Sequence, residues 1–377
     1  MKYETILKID LKKLKNNINK LFKSYDDYKI KIADLKDFAH GMGFEIVDTL
    51  INSGINYIFV GSLKEALYVR KLNKDVNILV GYYVTMDEVY DCINNNISIT
   101  IHNKKDIDLL CNLDLKDDLN LEILIDNGSN LQGVSKKSDI EYIINKINES
   151  KHLHLKGMYS EITSFGITDE YYYEEVNNFV KLVKSFWASD LIIHLNEPVM
   201  HHSKSKYISG IRFDLSLLGI QENIKEDIFT KGKIKKIEKK YGPLKCLNNN
   251  LELVFNIVSE VMDIKKAPKG TLVGRNFISK DDIYVGILPI GHKDGITKSI
   301  KNVLVNNKIC EVLSDDIDKL YIKVDENTFV KDRVVIINDI YNLIDNLHTN
   351  RYYLMSILNK NLTKKLINEE KNNDNLL

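Results

Sequence analysis

The sequence predicts an α/β protein with an N-terminal eight-stranded α/β barrel of the TIM type and a C-terminal mainly-β domain. From about residue 5 to residue 220, short apolar runs alternate with amphipathic helical segments, and such alternation is typical of a parallel sheet. Seven or eight strand–helix units over about 220 residues favour a closed barrel over an open sheet. After residue 250, β-branched runs follow one another at short intervals, which indicates an all-β domain.

The strand candidates of the first part are TILKID, YKIKIAD, YIFVGS, NILVGYY, SITIHN, LEILIDN, LKGMYSE and LIIHLNE. The segments between them, such as LKEALYVRKL and YYYEEVNNFVKLVKSFW, carry apolar residues at helical spacing. We therefore expect a barrel domain over residues 1–225, in which residues 1–8 could pair with the C-terminal domain. A polar connection over 226–249 follows, and then a β domain over 250–377 that ends in a helical tail, NRYYLMSILNKNLTKKLINEE.

Composition narrows the functional class. The 53 basic residues equal the 53 acidic ones in number. The chain therefore lacks the excess of positive charge that would indicate a nucleic-acid partner. The four cysteines are widely spaced without a CxxC pair, which predicts neither a zinc site nor a disulfide framework. No apolar stretch approaches the length of a membrane span, and the N-terminus lacks the form of a signal peptide. The expectation is a cytoplasmic protein with no membrane partner.

Several segments in a fixed order carry a family resemblance. They are KIDLKKLKNNINKL, FAHGMGFEIVDTLINSG, IDNGSNLQGV, GMYSEITS, NEPVM, GIRFDLSLLG, KGTLVGRNF and LPIGHKDGITK. In that order the chain resembles alanine racemases, the fold-type III enzymes that use pyridoxal phosphate (PLP). The resemblance implies a homodimer and a PLP cofactor. In that family, a lysine at the end of the first barrel strand holds PLP as an imine, and a tyrosine from the partner subunit is the second acid–base group.

The positions that carry this chemistry do not match the family. IADLKDFAHG aligns without a gap on the family's lysine motif and places Asp34 at the PLP lysine. A carboxylate cannot form an imine. Arg275 stands at the catalytic tyrosine, and arginine remains protonated at physiological pH, so it cannot accept the α-proton. Glu161 replaces the family histidine in the segment GMYSEITS. We therefore expect no intact catalytic residues.

Other cofactor positions are partly kept. The resemblance implies that the retained ones are Tyr159, Arg212, Asn196 and His40. The altered pocket positions are Asp34, Phe38, Leu131, Glu161, Glu197, Asp214, His292 and Ile317. Glu197 and Asp214 would place carboxylates where the phosphate should bind, and each such contact costs on the order of 4 kcal/mol at intermediate dielectric. The sequence therefore predicts no cofactor.

Three hypotheses follow from these changes. In the first, a former active site is filled by ion pairs, with Asp34 pairing to Arg275 across the dimer and Glu161 pairing to Arg212. In the second, the acidic barrel mouth binds a small cationic ligand. In the third, the chain remains a PLP-dependent amino-acid racemase, an isomerase that supplies D-alanine for cell-wall precursors, with Lys36 replacing the lost lysine.

Two further expectations concern single residues. On the first two hypotheses, Lys36 lies in a solvated loop beyond the strand. The adjacent pair His201 and His202 would point apart on a helix, so it indicates a surface segment and no metal site.

Overall fold

The computed structural model describes residues 3–163, 170–196, 200–201, 205–221, 228–241, 245–246, 250–297, 299–337, 340–358 and 362–367. The chain divides into two compact units. The β unit comprises Met1–Leu14, His40–Glu45 and Glu252–Leu377, and the barrel unit comprises Lys15–Ala39 and Ile46–Leu251.

The strands, in chain order, are β1 (Ile6–Asp10), β2 (Ile30–Asp34), β3 (Tyr57–Val60), β4 (Asn77–Val80), β5 (Ser98–Ile101), β6 (Leu119–Leu124), β7 (Leu153–Ser160), β8 (Ile192–Asn196), β9 (Met200–His201), β10 (Gly210–Phe213), β11 (Lys245–Cys246), β12 (Phe255–Glu260), β13 (Asp263–Ala267), β14 (Leu272–Val273), β15 (Phe277–Ile278), β16 (Ile283–Leu288), β17 (Asn302–Val305), β18 (Lys308–Asp315), β19 (Leu320–Val324), β20 (Arg333–Val335) and β21 (Thr363–Ile367).

The helices are α1 (Leu11–Ser24), α2 (Lys36–His40, a single turn that is left-handed over Asp37–His40), α3 (Val47–Asn52), α4 (Leu63–Leu72), α5 (Val89–Asn94), α6 (Lys104–Cys111), α7 (Lys137–Glu149), α8 (Glu170–Val183), α9 (Ile228–Tyr241), α10 (Ile340–Asn346) and α11 (Arg351–Ile357), with 3-10 turns at Phe44–Ile46 and His292–Asp294. Across the part of the chain that the structure describes, no helix has both the length and the apolar character to cross a bilayer.

Eight parallel strands close the barrel in the order β10, β2, β3, β4, β5, β6, β7, β8. The predicted eight-stranded barrel is thus confirmed, although one candidate strand lies outside it. TILKID contains the strand β1, which belongs to the sheet of the β unit and pairs with β12, as the sequence allowed for residues 1–8. The eighth barrel strand is instead β10, the segment GIRF. This strand has only four residues, and an arginine interrupts its apolar run. Its composition therefore does not identify it as a strand.

The β unit is built on a nine-stranded sheet in the order β13, β16, β19, β18, β17, β20, β12, β1, β21. The expected helical tail is wrong over Thr363–Ile367, which form β21. This strand pairs in parallel with β1 from Ile6 opposite Thr363 to Asp10 opposite Ile367. Pairing with an available strand edge satisfies the backbone of this segment, and tertiary context of this kind overrides a weak local helical pattern.

A left-handed turn follows β2. The four residues Asp37, Phe38, Ala39 and His40 have φ between 53° and 55°, a region that is unfavourable for side chains other than glycine. Glu65 at the start of α4 holds this turn, because its carboxylate accepts the Phe38 N–H at 2.7 Å. The same carboxylate accepts the backbone N–H groups of Gly61 at 2.8 Å and Ser62 at 2.9 Å. The strained turn is therefore fixed to the helix that follows the neighbouring strand.

Gly157 in β7 makes room for a buried carboxylate in the barrel. A Cβ at this position would lie 2.3 Å from the Ile192 carbonyl oxygen and 2.8 Å from Glu122 Oε2. The absence of a side chain thus allows two strands and the Glu122 carboxylate to approach one another.

Gly157→Ala is therefore expected to lower the free energy of unfolding by about 1 to 3 kcal/mol, because overpacking forces backbone shifts. Gly232→Ala is the matched control. It lies in α9, where a Cβ would meet nothing within 4 Å, and the same change should stabilise the helix by up to about 1 kcal/mol. Urea unfolding of both variants measures the difference, and equal effects would contradict the packing argument.

Candidate functional site

Four charged side chains meet at the carboxyl end of the barrel. Asp34 is the last residue of β2, Lys36 follows two residues later, Glu161 comes directly after β7, and Arg212 lies in β10. Lys36 Nζ lies 3.3 Å from Asp34 Oδ2 and 3.7 Å from Glu161 Oε1. Arg212 Nη2 lies 2.9 Å from Glu161 Oε1, and its Nε lies 3.9 Å from Asp34 Oδ2. Two cations and two carboxylates thus alternate in a group that we call the mouth cluster.

The expectation that Lys36 is solvated is wrong. Only 21% of its side chain is exposed, and its ammonium lies 5.3 Å from the centroid of the Phe59 ring. Burial lowers the pKa of Lys36, but the carboxylates of Asp34 and Glu161 raise it more, so the pKa is above its ordinary value. The side chain is therefore a cation at neutral pH. Its ammonium reaches Asp34 and Glu161 at the barrel mouth, which residue spacing alone does not reveal.

Arg212 is fully buried and connects the mouth cluster to the barrel interior. The predicted pair with Glu161 is present, and Nη2 also donates to the Ser160 carbonyl oxygen at 3.2 Å. Its Cζ lies 4.7 Å from the ring centroid of Phe59 and 4.9 Å from that of Tyr159. A guanidinium between two aromatic rings gains cation–π attraction that partly offsets its loss of hydration.

Buried polar side chains in the barrel interior hold Arg212 in position, and we call them the inner layer: His194, Glu122 and Tyr57. Arg212 Nη1 lies 2.9 Å from His194 Nδ1. Because arginine only donates, Nδ1 must accept, and the proton of the ring is on Nε2, which donates to Glu122 Oε2 at 2.8 Å. Burial lowers the pKa of His194 below its ordinary value, so the ring is neutral. The Tyr57 hydroxyl donates to the other Glu122 oxygen.

Glu122 and His194 were not predicted as site residues. Each interrupts a predicted apolar strand, in LEILID and LIIHLN respectively. Since both side chains are buried, they had to pair inside the barrel. Two isolated polar residues within predicted buried strands were the available signal.

Three other predicted positions line the same end of the barrel. Tyr159 is buried with its ring stacked on His194 at 5.0 Å, and its hydroxyl is 3.0 Å from Thr100 Oγ1. Asn196 holds the segment after Glu161, since its side-chain amide accepts the Ile162 N–H at 2.7 Å and donates to the Ile162 carbonyl at 3.0 Å. Asp214, one residue past β10, interacts electrostatically with Glu161.

Other predicted positions lie elsewhere. Phe38 and Leu131 are exposed. His40 is partly buried, and its Nε2 has no hydrogen-bond partner among the described residues. Glu197 and His202 lie outside the described residues, and of His201 only the backbone, in β9, is described.

In the β unit, Arg275 and His292 have acidic partners of their own. Arg275 Nη2 lies 2.6 Å from Asp316 Oδ1, and His292 Nε2 lies 3.0 Å from Asp315 Oδ2. Ile317 is exposed. Asp34 and Arg275 therefore each have a counter-charge within one chain, and the predicted pair between subunits would have to compete with these contacts.

Glu161 gives the mouth cluster a dependence on pH. Burial raises the pKa of Glu161, but Arg212 and Lys36 outweigh it and hold the pKa below its ordinary value. A depressed carboxyl pKa contributes stability above the unfolded value of about 4.3, and this stability is lost as the pH falls through the folded value.

Wild type should therefore exceed Glu161→Gln in free energy of unfolding at neutral pH, and the difference should shrink on acidification below about pH 4.3. Urea unfolding of both proteins across this range gives the comparison. A difference that stays constant with pH would show that the carboxylate charge contributes nothing.

The mouth cluster does not fit PLP. An imine requires a free amine, and the Lys36 amine is held as an ammonium by two carboxylates. The position at the strand end is a carboxylate, and Arg212 Nη2 is already bound to Glu161. The chemistry that this arrangement supports is the binding and neutralisation of charge.

Two family models match the chain. The alanine racemase N-terminal domain matches residues 9–211, and the alanine racemase C-terminal domain matches residues 254–366. The alanine racemase of Borreliella burgdorferi is 27% identical over 317 residues, which cover 81% of this chain and 80% of that protein. The alanine racemase of Fusobacterium nucleatum is 27% identical over 359 residues, with 91% and 93% covered.

Solved structures show the same fold. An alanine racemase from Clostridium difficile superposes with a TM-score of 0.82 at 19% identity, covering 97% of this chain and 96% of that one. A histidine racemase from Leuconostoc mesenteroides gives a TM-score of 0.80 at 18% identity, covering 97% and 98%. Because the family models together span most of its length, the chain belongs to the alanine racemase family.

Proposed function

We propose that this member of the family is not a racemase, and that its barrel mouth has a structural, regulatory or cation-binding role. The observation that carries the proposal is the ion-paired state of Lys36. Its amine is the candidate for an imine next to Asp34, and it lies between Asp34 and Glu161 as an ammonium. A protonated amine is not a nucleophile.

The inner layer supports the same proposal. Arg212 is held by Glu161, His194 and Ser160, so its guanidinium already has a carboxylate partner. The proposal also includes a homodimer and a cytoplasmic location, both of which rest on the family and on the sequence. Multi-angle light scattering of the purified chain tests the dimer, and a monomeric mass would contradict it.

A PLP-dependent amino-acid racemase that uses Lys36 is the second candidate, and one observation favours it. The Lys36 ammonium enters the barrel mouth and lies beside the strand-end residue Asp34, so its position is closer to that of a cofactor lysine than the sequence indicated. It would have to lose a proton and both carboxylate contacts before it could react.

Chiral chromatography after incubation with added PLP and L-alanine, L-histidine or other L-amino acids separates the candidates. The Borreliella burgdorferi relative assayed in parallel is the positive control. We expect no D-amino acid above the level of a protein-free sample. Turnover that disappears in Lys36→Ala would establish the racemase and overturn the proposal.

A further inference from the structure

The Lys36 ammonium lies in a site with two kinds of recognition. Asp34 and Glu161 supply carboxylate oxygens at 3.3 and 3.7 Å from Nζ, and Phe59 offers its ring face at 5.3 Å. Carboxylates neutralise the charge of an ammonium, and an aromatic face adds cation–π attraction. The second cation, Arg212, is fixed by the barrel interior, so it cannot move to replace Lys36.

We propose that the barrel mouth is a binding site for a primary ammonium group, that Lys36 is its tethered occupant, and that a small primary amine competes with Lys36 for Asp34 and Glu161. The inference rests on the proposed function in one respect, because Lys36 must be an ammonium and not an imine. It goes further by naming the ligand class and the groups that bind it.

The charge of the site supports this ligand class. Removing the Lys36 side chain takes one positive charge away from the carboxylates of Asp34 and Glu161, and Asp214 acts on Glu161 as a further negative charge. The site thereby becomes more negative than in the wild type in a partly buried environment, which favours a cation. The aromatic ring of Phe59 favours an organic ammonium over a strongly hydrated metal ion.

The covalent attachment of the Lys36 ammonium to the backbone determines the affinity expected for a free amine. In the wild type, a free amine must displace an ammonium that is held at high effective concentration by its own backbone. Removing the side chain removes this competitor. Lys36→Ala should therefore bind n-propylammonium, the fragment that the substitution deletes, at least about tenfold more tightly than the wild type does.

Isothermal titration calorimetry with n-propylammonium chloride tests the proposal, with sodium chloride and n-propanol as the ionic and neutral controls. We expect saturable binding to Lys36→Ala, accompanied by a rise in its melting temperature, and no binding of n-propanol. Lys64→Ala is the matched control, because Lys64 Nζ also lies over an aromatic ring, 5.8 Å from the Phe38 centroid. It should show no gain in affinity.

Two more variants keep the test decisive. Lys36→Met fills the site with an apolar chain of similar length and should not bind the amine. Lys36→Ala combined with Glu161→Gln should bind it at least about fivefold more weakly than Lys36→Ala, since one carboxylate is lost. If Lys36→Ala does not fold, the competition is measured on wild type as a shift of melting temperature by n-propylammonium beyond that given by sodium chloride.

Each outcome has one meaning. The proposal would be overturned by equal amine binding to Lys36→Ala and Lys36→Met, or by no binding to a folded Lys36→Ala. If only the wild type can be measured, the absence of a shift in its melting temperature would overturn it. Tighter binding of magnesium ions than of the amine would overturn the ammonium class. None of these results depends on PLP, so failure here is distinct from the appearance of racemase activity.

Discussion

Replacing Arg212 by methionine is expected to lower the free energy of unfolding by about 3 to 5 kcal/mol at neutral pH, the cost of breaking a buried ion pair by removing one partner. Glu161 loses its contact at 2.9 Å, and His194 Nδ1 loses its donor at 2.9 Å. Urea unfolding measures the effect, and Arg212→Lys should recover part of it, since the charge returns without the planar fork.

Arg275→Met is the matched control for this prediction. Arg275 also contacts a carboxylate, Asp316, at 2.6 Å, but 62% of its side chain is exposed, and exposed pairs contribute only about 0 to 1 kcal/mol. The combination of Arg212→Met with Glu161→Gln should cost less than the sum of the single changes, because the uncompensated charge is gone. A loss for Arg212→Met as small as that for Arg275→Met would refute the role given to burial.

Arg70→Met should cost about 3 kcal/mol or more, for a different reason. The buried Arg70 guanidinium donates to five backbone carbonyls, those of Asn73, Lys74, Val76, Asn95 and Asn96, at 2.8 to 3.3 Å. Each carbonyl left unsatisfied in the interior costs about 1 to 3 kcal/mol, although those that reach water recover most of it.

Hydrogen exchange localises this second effect. The carbonyls belong to the turns after α4 and α5, so faster exchange should be confined to residues 72–77 and 94–98. Arg70→Lys should be nearly as damaging as Arg70→Met, because one ammonium cannot serve two turns at once. Arg70→Lys with wild-type stability would contradict the account.

The sequence revealed the barrel through its alternation of strands and helices, but it did not identify all eight strands. TILKID and GIRF differ little in local composition, and only pairing decides that TILKID joins β12 and β21 while GIRF closes the barrel. LTKKLI likewise becomes a strand because β1 offers it an edge. Long-range hydrogen bonding decided these cases, and it leaves no local pattern.

The candidate site was predictable in its members and not in its contacts. The family resemblance identified Asp34 and Arg212 and predicted the Glu161–Arg212 pair, which the structure contains. Lys36 lies directly before a left-handed turn of four residues without glycine. No residue type signals such a turn, so the ammonium was expected in solvent.

Reductive trapping tests whether the barrel mouth has lost its cofactor chemistry. The purified chain is incubated with PLP, reduced with borohydride and mapped by peptide mass spectrometry, with Lys36→Met treated in parallel. The ion-paired state of Lys36 predicts no pyridoxyl group on this residue beyond the trace found on exposed lysines. A stoichiometric adduct on Lys36 that is absent from Lys36→Met would contradict the proposal and make the chain a PLP enzyme.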